Sequence, residues 1–357
     1  MVEDFTSAFM RDGSSTYIRN LQTQVDVHRW GEQDLPMTIN HGSKAATFVC
    51  SPWVGYVDYT REELSRFPNR ALTPALHAVV SGVAGVLRFS DLDRIVHINN
   101  WMMSTNLLAA IDPGLVASQT EELTARFPAH ILAMRSLTWR HNSRLIGALE
   151  AAGWVLLPSR QVFLVDDVPS QMTRRRDLKR DERLWQNTSL RYEDLQTMTL
   201  PDAERIAALY AMLYLDKYSQ LNPSFTPAFV TMTHAIGMIR YLVLRDADGI
   251  IQCFGGMHHF AGHATMPLMG YNTGIDQRVG LYRLGFHAGS RFAARYNLAF
   301  NMSSGASSFK IARGATAEME FSAFHFLHLP AKRRLPLDVL RIVAHRIGMP
   351  ILRRYNL

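Results

Sequence analysis

Cysteine is nearly absent: the 357-residue chain has two, Cys50 and Cys253, far apart. Their scarcity excludes a disulfide framework, and their separation gives no zinc-like spacing. Two reduced, buried thiols are the expectation, since free cysteine is among the most buried residue types. Long apolar runs are missing as well, and none approaches the about 20 residues that a bilayer-spanning helix requires. The opening residues, MVEDFTSAFMRDGSS, have no basic segment leading into an apolar one. Neither a signal peptide nor a membrane partner is therefore expected, and the expected compartment is the cytoplasm. No Gly-x-Ser-x-Gly elbow occurs. A metal is not expected either. His258, His259 and His263 fall in strand-like sequence, where neighbouring side chains point to opposite faces, and no carboxylate spacing joins them.

What the chain does have is apolar material for two cores. Its 47% hydrophobic and 19% charged residues describe a globular protein, and its length exceeds what one core usually organises. Two domains are expected, over residues 1–168 and 201–357, separated by a basic joint over residues 169–200. The formal charge of +7 would favour an acidic partner such as tRNA, a carrier protein or a phosphorylated cofactor. A basic surface without such a partner fits equally well.

Residues 1–70 mix short apolar runs with Pro, Gly and Asp breaks and read as short strands and loops. After them, ALHAVVSGVAGVLRF, preceded by Pro74, is apolar on most faces and reads as a buried helix. Residues 94–102 read as a strand, 115–127 as a helix, 130–137 as a strand, 142–152 as a helix and 154–165 as a strand. That alternation implies α/β layers. Asn99, Asn100 and Trp101 gather hydrogen-bonding groups at a strand end. They fit either a substrate pocket or a polar loop that bonds its own backbone. In the joint, Arg174, Arg175, Arg176, Lys179, Arg180 and Arg183 stand against Asp177, Asp181 and Glu182. Such a run is a solvated helix face or a track for a polyanion.

The second half opens on a helical segment, Pro201 to Tyr218, in which Tyr210, Tyr214 and Tyr218 repeat every four residues as a packing face or a substrate box. Asp246-Ala247-Asp248-Gly249 reads as a hairpin turn. Residues 266–325 then read as strand, helix start, strand, short helix and strand, and the rest of the chain is organised around them. The helix start at Gln277, Arg278, Val279, Gly280 and Leu281 offers unpaired N–H groups and a partial positive charge that suit a phosphate or carboxylate. His325 and His328 lie on the last strand, as a base suited to neutral pH or as satisfied strand residues. Residues 332–357 read as a basic amphipathic helix docked on the second half, with its basic face in solvent. A membrane-surface role for it would need vesicle binding.

This order of elements, with Gln277-x-x-Gly280 at the helix start and Phe309-Lys310 followed by Gly314, resembles the GNAT acyltransferase superfamily. The basic joint resembles that of its FemABX-like branch, whose chains carry two GNAT domains in tandem. The fold implied is α/β: two tandem GNAT-like domains, each a mixed twisted sheet flanked by helices. The activity implied is acyl transfer to an amine, forming an amide by direct attack. From the resemblance, Gln277, Arg278, Val279, Gly280 and Leu281 inherit the loop that wraps the pyrophosphate of acyl-CoA, although the family's last small residue is Tyr282 here. Lys310 inherits a place near the active site.

For the chemistry, Lys310 is the candidate to hold the oxyanion or an anionic group, Glu320 or His325 the base, and Tyr271 or Tyr282 the acid. Asn272, Ser303, Ser304, Asn99 and Trp101 are candidate substrate contacts. No tightly bound cofactor is expected. The expected donor is acyl-CoA or carrier-protein phosphopantetheine, and the acceptor a small-molecule amine. Aminoacyl-tRNA as donor, or a non-catalytic ligand-binding tandem module, are the alternatives.

Overall fold

Long apolar strands join into one continuous mixed sheet in the computed structural model, which describes residues 1–42, 46–108 and 111–355. In the first half, β1 (Gln24–Trp30) and β2 (Gln33–His41) form a hairpin that turns at Gly31, where φ is 60°. β3 (Arg94–Ile98) pairs antiparallel with β2, β4 (Ile131–Thr138) pairs parallel with β3, and β5 (Val155–Val165) ends the half. The second half contributes β6 (Arg191–Asp194), β7 (Arg240–Arg245), β8 (Ile251–Phe260), β9 (His263–Tyr271), β10 (Ala299–Asn301) and β11 (Thr316–His325). The hairpin expected at residues 246–249 joins β7 to β8.

Across the sheet the order is β1-β2-β3-β4-β11-β5-β10-β9-β8-β7-β6. The last strand of the second half therefore lies inside the first, between β4 and β5. β5 in turn lies between β11 and β10. Reading outward from the β11–β5 pair, both sides repeat the same pairings. An antiparallel step leads to β4 or β10, a parallel step to β3 or β9, and antiparallel steps to β2 or β8 and then β1 or β7. The two halves thus exchange their final strands about a pseudo-two-fold axis, and neither half's own penultimate and last strands touch.

The helices are α1 (Val2–Asp12), α2 (Ser14–Tyr17), α3 (Thr60–Ser65), α4 (Thr73–Leu87), α5 (Val116–Arg126), α6 (Trp139–Ala151), α7 (Val168–Arg174), α8 (Arg176–Asn187), α9 (Leu200–Tyr210), α10 (Pro227–Ala235), α11 (Leu281–Arg295), α12 (Ser307–Ala312), α13 (Ala331–Val343) and α14 (Met349–Tyr355). α5 and α11 are the crossovers that the two parallel pairs require. Thr138, Thr199 and Thr226 cap α6, α9 and α10 by accepting backbone N–H groups of the first turn.

Three expectations are corrected. Residues 1–70 are not only strands and loops, because α1 places Phe5 and Phe9 in the core, where Phe5 packs on Trp101. α4 is not a buried helix. Only Val83, Ala84 and Leu87 are buried, since one of its faces is covered by α13 and the other meets solvent. The helix over residues 201–218 ends as α-helix at Tyr210 and continues as a π-helical turn, Ala211–Asp216; another π-helical turn, Val54–Tyr59, follows β2 in the first half. The last two residues of the closing segment, 356–357, lie outside the described residues.

The exchange predicts that residues 1–168 expressed alone do not fold cooperatively, because β4 and β5 are joined only through β11. Circular dichroism and amide NMR of that fragment should show a disordered or molten chain. A cooperative melt with dispersed resonances would contradict the exchange.

Candidate active site

Where the exchanged strands run side by side, Arg160 of β5 stands directly opposite Glu320 of β11. Glu320 is buried and Arg160 mostly so, an unpaired charge there would be costly, and they form a two-point pair. Arg160 Nε donates to Glu320 Oε1 at 2.9 Å and its Nη2 to Oε2 at 3.3 Å. The same Nη2 donates to the Ser104 carbonyl at 2.6 Å and to Thr105 Oγ1 at 2.9 Å. A second arginine, Arg135 of β4, donates to the carbonyls of Val49 and Met103 and to Asn100 Oδ1. The seam between the halves therefore holds two inward-facing guanidinium groups and one carboxylate.

Lys310 is delivered to the same seam by α12. A tight turn precedes that helix, with Ser303, Gly305 and Ala306 at φ 59°, 77° and 46°. Holding non-glycine residues in this region is strained, and such strain gathers at sites where geometry matters more than local comfort. The turn directs two carbonyls at the lysine: Nζ donates to Ser303 O at 3.2 Å and Ser304 O at 2.7 Å. The rings of Phe163 and Phe286 lie 5.6 Å from the ammonium. Thr105 Oγ1 donates to Ser303 Oγ at 3.4 Å, which links the lysine turn to Arg160. Burial, and secondarily the charge of Arg160, pull Lys310 down to about 7.

Tyrosines line the other side. The π-helical turns supply Tyr59 and Tyr214, whose phenols feel the charge of Arg160. Tyr271, at the end of β9, lies edge-on to Tyr282 with ring centres 6.2 Å apart. Tyr282 packs on Phe286 and Phe309, next to Lys310. Burial raises the Tyr59 phenol to about 12 and the Tyr214 and Tyr282 phenols still further, so all three stay protonated at neutral pH.

The turn Gln277–Val279 is a short 3-10 helix, and Gly280, at φ 76°, starts α11 without a side-chain cap. A Cβ at Gly280 would lie 2.7 Å from a methyl of Leu184, so this glycine lets α8 pack against the helix start. α8 is held there by its acidic residues. The buried Asp181 accepts from Arg313 at 2.6 and 3.0 Å and from Arg283 at 2.7 Å, while Glu182 pairs with His287 and Arg291. The six basic residues of the joint all remain exposed, beside the turn.

No family model matches the sequence, and no curated protein matches it. Solved structures do. FemX matches at 7% identity with a TM-score of 0.51, over 63% of this chain and 81% of that chain. L-PGS from Bacillus licheniformis matches at 13% identity and a TM-score of 0.48, over 71% and 83%. A tandem GNAT protein from the clavulanic acid biosynthesis pathway matches at 13% identity and a TM-score of 0.38, over 66% and 76%. The chain has a tandem GNAT-like fold.

Within this GNAT-like frame the expected site residues separate into groups. Lys310, Glu320, Ser303 and Ser304 meet at the seam, and Tyr271 and Tyr282 border it. Gln277, Arg278 and Val279 are exposed, with Arg278 paired to Asp276, while Gly280 and Leu281 are buried under α8. Asn272 is occupied by Gln252 and by its own turn. Asn99 bonds the Leu107 carbonyl and the Trp101 indole, and Trp101 packs between Phe5 and His258, so both hold a loop in place. His325 does not join the cluster. It lies five residues beyond Glu320 on β11, roughly 16 Å at strand rise, with its ring against Trp154 and His328.

Arg160, Arg135 and Tyr59 were not expected in these roles, whereas Tyr214 belongs to the tyrosine stripe read as a packing face or a substrate box. The arginines had a signal, a charged residue midway along the apolar strands LLPSRQVFLV and ILAMRSL. A cleft of about 730 Å³ lies elsewhere, on the reverse of β5 and β11 beside Gln161 and Met319. The convergence of buried charges and the strained turn mark the seam instead.

A lysine whose folded pKa lies below its unfolded value of about 10.5 makes the unfolded state bind the extra proton between the two values. Native stability should therefore rise from about pH 7 toward about pH 10 through this group. Lys310→Met should lose that slope in urea unfolding curves. An unchanged slope would show that the lysine is not held in this environment.

Proposed function

We propose that the protein is an N-acyltransferase in which an amine attacks an acyl carbonyl directly at the seam, without an acyl-enzyme. The observation that carries this reading is the Lys310 ammonium, held by two carbonyls of a strained turn beside the Arg160–Glu320 pair. A cation fixed in a low-dielectric seam before the reaction begins costs no reorganisation when charge develops on the substrate. The amine nitrogen bonds to the carbonyl carbon, and the C=O pair moves to oxygen. Lys310 stabilises that oxyanion. Collapse of the intermediate re-forms the carbonyl and breaks the bond to the leaving group, which receives the proton from the attacking nitrogen through Tyr282 or Tyr271. Both oxygens of Glu320 are taken by Arg160, so its part is to position that arginine.

The proposed donor is a pantetheine thioester, as acyl-CoA or on a carrier protein, and it is not tightly bound. The start of α11 supports this, since no side chain caps its first N–H groups and such groups suit phosphate. A second reading, transfer from aminoacyl-tRNA, is supported by the exposed face of Arg174, Arg175, Arg176, Lys179, Arg180 and Arg183 next to that helix start. Each contact from this face to a phosphate would make binding fall with salt.

Incubation with acyl-CoAs, acyl carrier proteins and charged tRNAs, each with simple amines, followed by mass spectrometry, should yield an amide from one donor class. Absence of product with all of them, together with tight binding of one, would favour a binding module. With an active donor, Lys310→Met should lower kcat roughly 10²-fold or more, the scale of one lost oxyanion donor, while the protein still melts cooperatively. The wild-type rate should fall as pH rises through about 7, where Lys310 loses its charge. A rate that climbs through that range would make the lysine a base instead.

A further inference from the structure

Among the helices that the internal repeat does not account for, α4 and α13 pack on each other and both expose apolar side chains. α4 is inserted between β2 and β3, where the second half has only the turn Ala261-Gly262 between β8 and β9. α13 follows β11, whereas the first half continues from β5 into the joint. Across its fifteen residues α4 contains no Asp, Glu, Lys or Arg. Its inner side, Val83, Ala84 and Leu87, packs with Leu337 and Leu340 of α13. Its outer side is uncharged and made mostly of small residues, Pro74, Ala75, Ala78, Ser81, Gly82 and Gly85. Leu72 just before the helix, Val86 within it and Phe89 just after it are exposed, Phe89 at 73%.

α13 runs antiparallel beside it. Arg333 at its start donates to the carbonyls of Ser90 and Asp91 beyond the end of α4, and Tyr355 of α14 packs on Phe67 ahead of the start of α4. α13 presents Leu335 at 65% exposure, Val339, and Ile342 at 54%, spaced four and three residues apart on one helix face. Isolated exposed apolar side chains are ordinary, but six large ones on or flanking two packed helices mark an interaction surface.

The rim of that patch is predominantly basic, with Asp91 and Asp338 as its acidic members. Arg88, Lys332, Arg341, Arg346, Arg353 and Arg354 are all exposed. From residue 331 to residue 355 there are seven basic residues and a single acidic one, Asp338. A second copy of the chain is a poor match, because a two-fold interface would set this rim against itself. We infer that the outer face of α4 and α13 docks on an anionic lipid surface. The apolar side chains enter the boundary between headgroups and acyl chains, and the basic rim meets lipid phosphates. The helices lie on the membrane and do not cross it, as no described helix is long and apolar enough to span one.

Flotation of the full chain with vesicles tests this. It should bind vesicles of phosphatidylglycerol and phosphatidylcholine, and bind phosphatidylcholine alone far more weakly. Arg346→Gln and Arg353→Gln should each reduce partitioning roughly fivefold, at about 1 kcal/mol per basic group near an anionic surface. Phe89→Ser with Leu335→Ser should reduce it by about tenfold or more. All four side chains are exposed, so the melting temperature should hold, and Lys179→Gln with Arg183→Gln in the joint should leave binding intact. No binding to anionic vesicles would overturn the inference. So would binding lost with the joint variant but kept by Phe89→Ser/Leu335→Ser, or a dimer in sedimentation velocity that Phe89→Ser dissociates.

Discussion

The structure depends on the pairing of Arg160 with Glu320 across the two exchanged strands. β5 and β11 are each the last strand of one half, and each is seated in the sheet of the other, so the register between them fixes how the halves meet. A buried ion pair adds little net stability, but misalignment by one residue would leave two part-buried charges unpaired in the seam, at a cost of several kcal/mol. The pair therefore acts as a register lock. It also ties down the loop at Ser104 and Thr105, and through Thr105 and Ser303 it reaches the turn that holds Lys310. Fold and site share one network.

The joint helix repeats this logic at the edge of the second half. α8 turns its acidic residues inward, where Asp181 sits between Arg283 and Arg313, and its basic residues outward. A helix with four basic residues and three acidic ones is thus docked by its minority charge. The packing of Leu184 on Gly280 brings the basic face to the start of α11. Small or polymeric anions approaching that start would meet the same field.

Much of the architecture was legible in the sequence because strands and helices advertise themselves by period. The alternation from residue 94 to residue 165, the hairpin at Asp246 and the order from Met266 to His325 follow from apolar spacing and turn chemistry. The strand exchange was not legible, since a buried strand reads the same whichever half covers it. Lys310 was singled out through a motif, whereas Arg160 and Arg135 needed the observation that single charges interrupt apolar runs. His325 shows the converse: a suitable residue type on the right strand, five positions from the place where its chemistry would count. α4 was misread because an apolar helix announces that it wants cover, not what supplies it.

The most direct measurement is a double-mutant cycle on the pair at the centre of the seam. Arg160→Met and Glu320→Met should each lower stability by about 3–5 kcal/mol, and the double variant by much less than their sum, since no charge is left unpaired. Acyl transfer should stay lost in all three, because the guanidinium is missing or unaligned. Additive losses in stability, or a double variant that recovers activity, would contradict a seam in which one ion pair both registers the exchanged strands and orders the site.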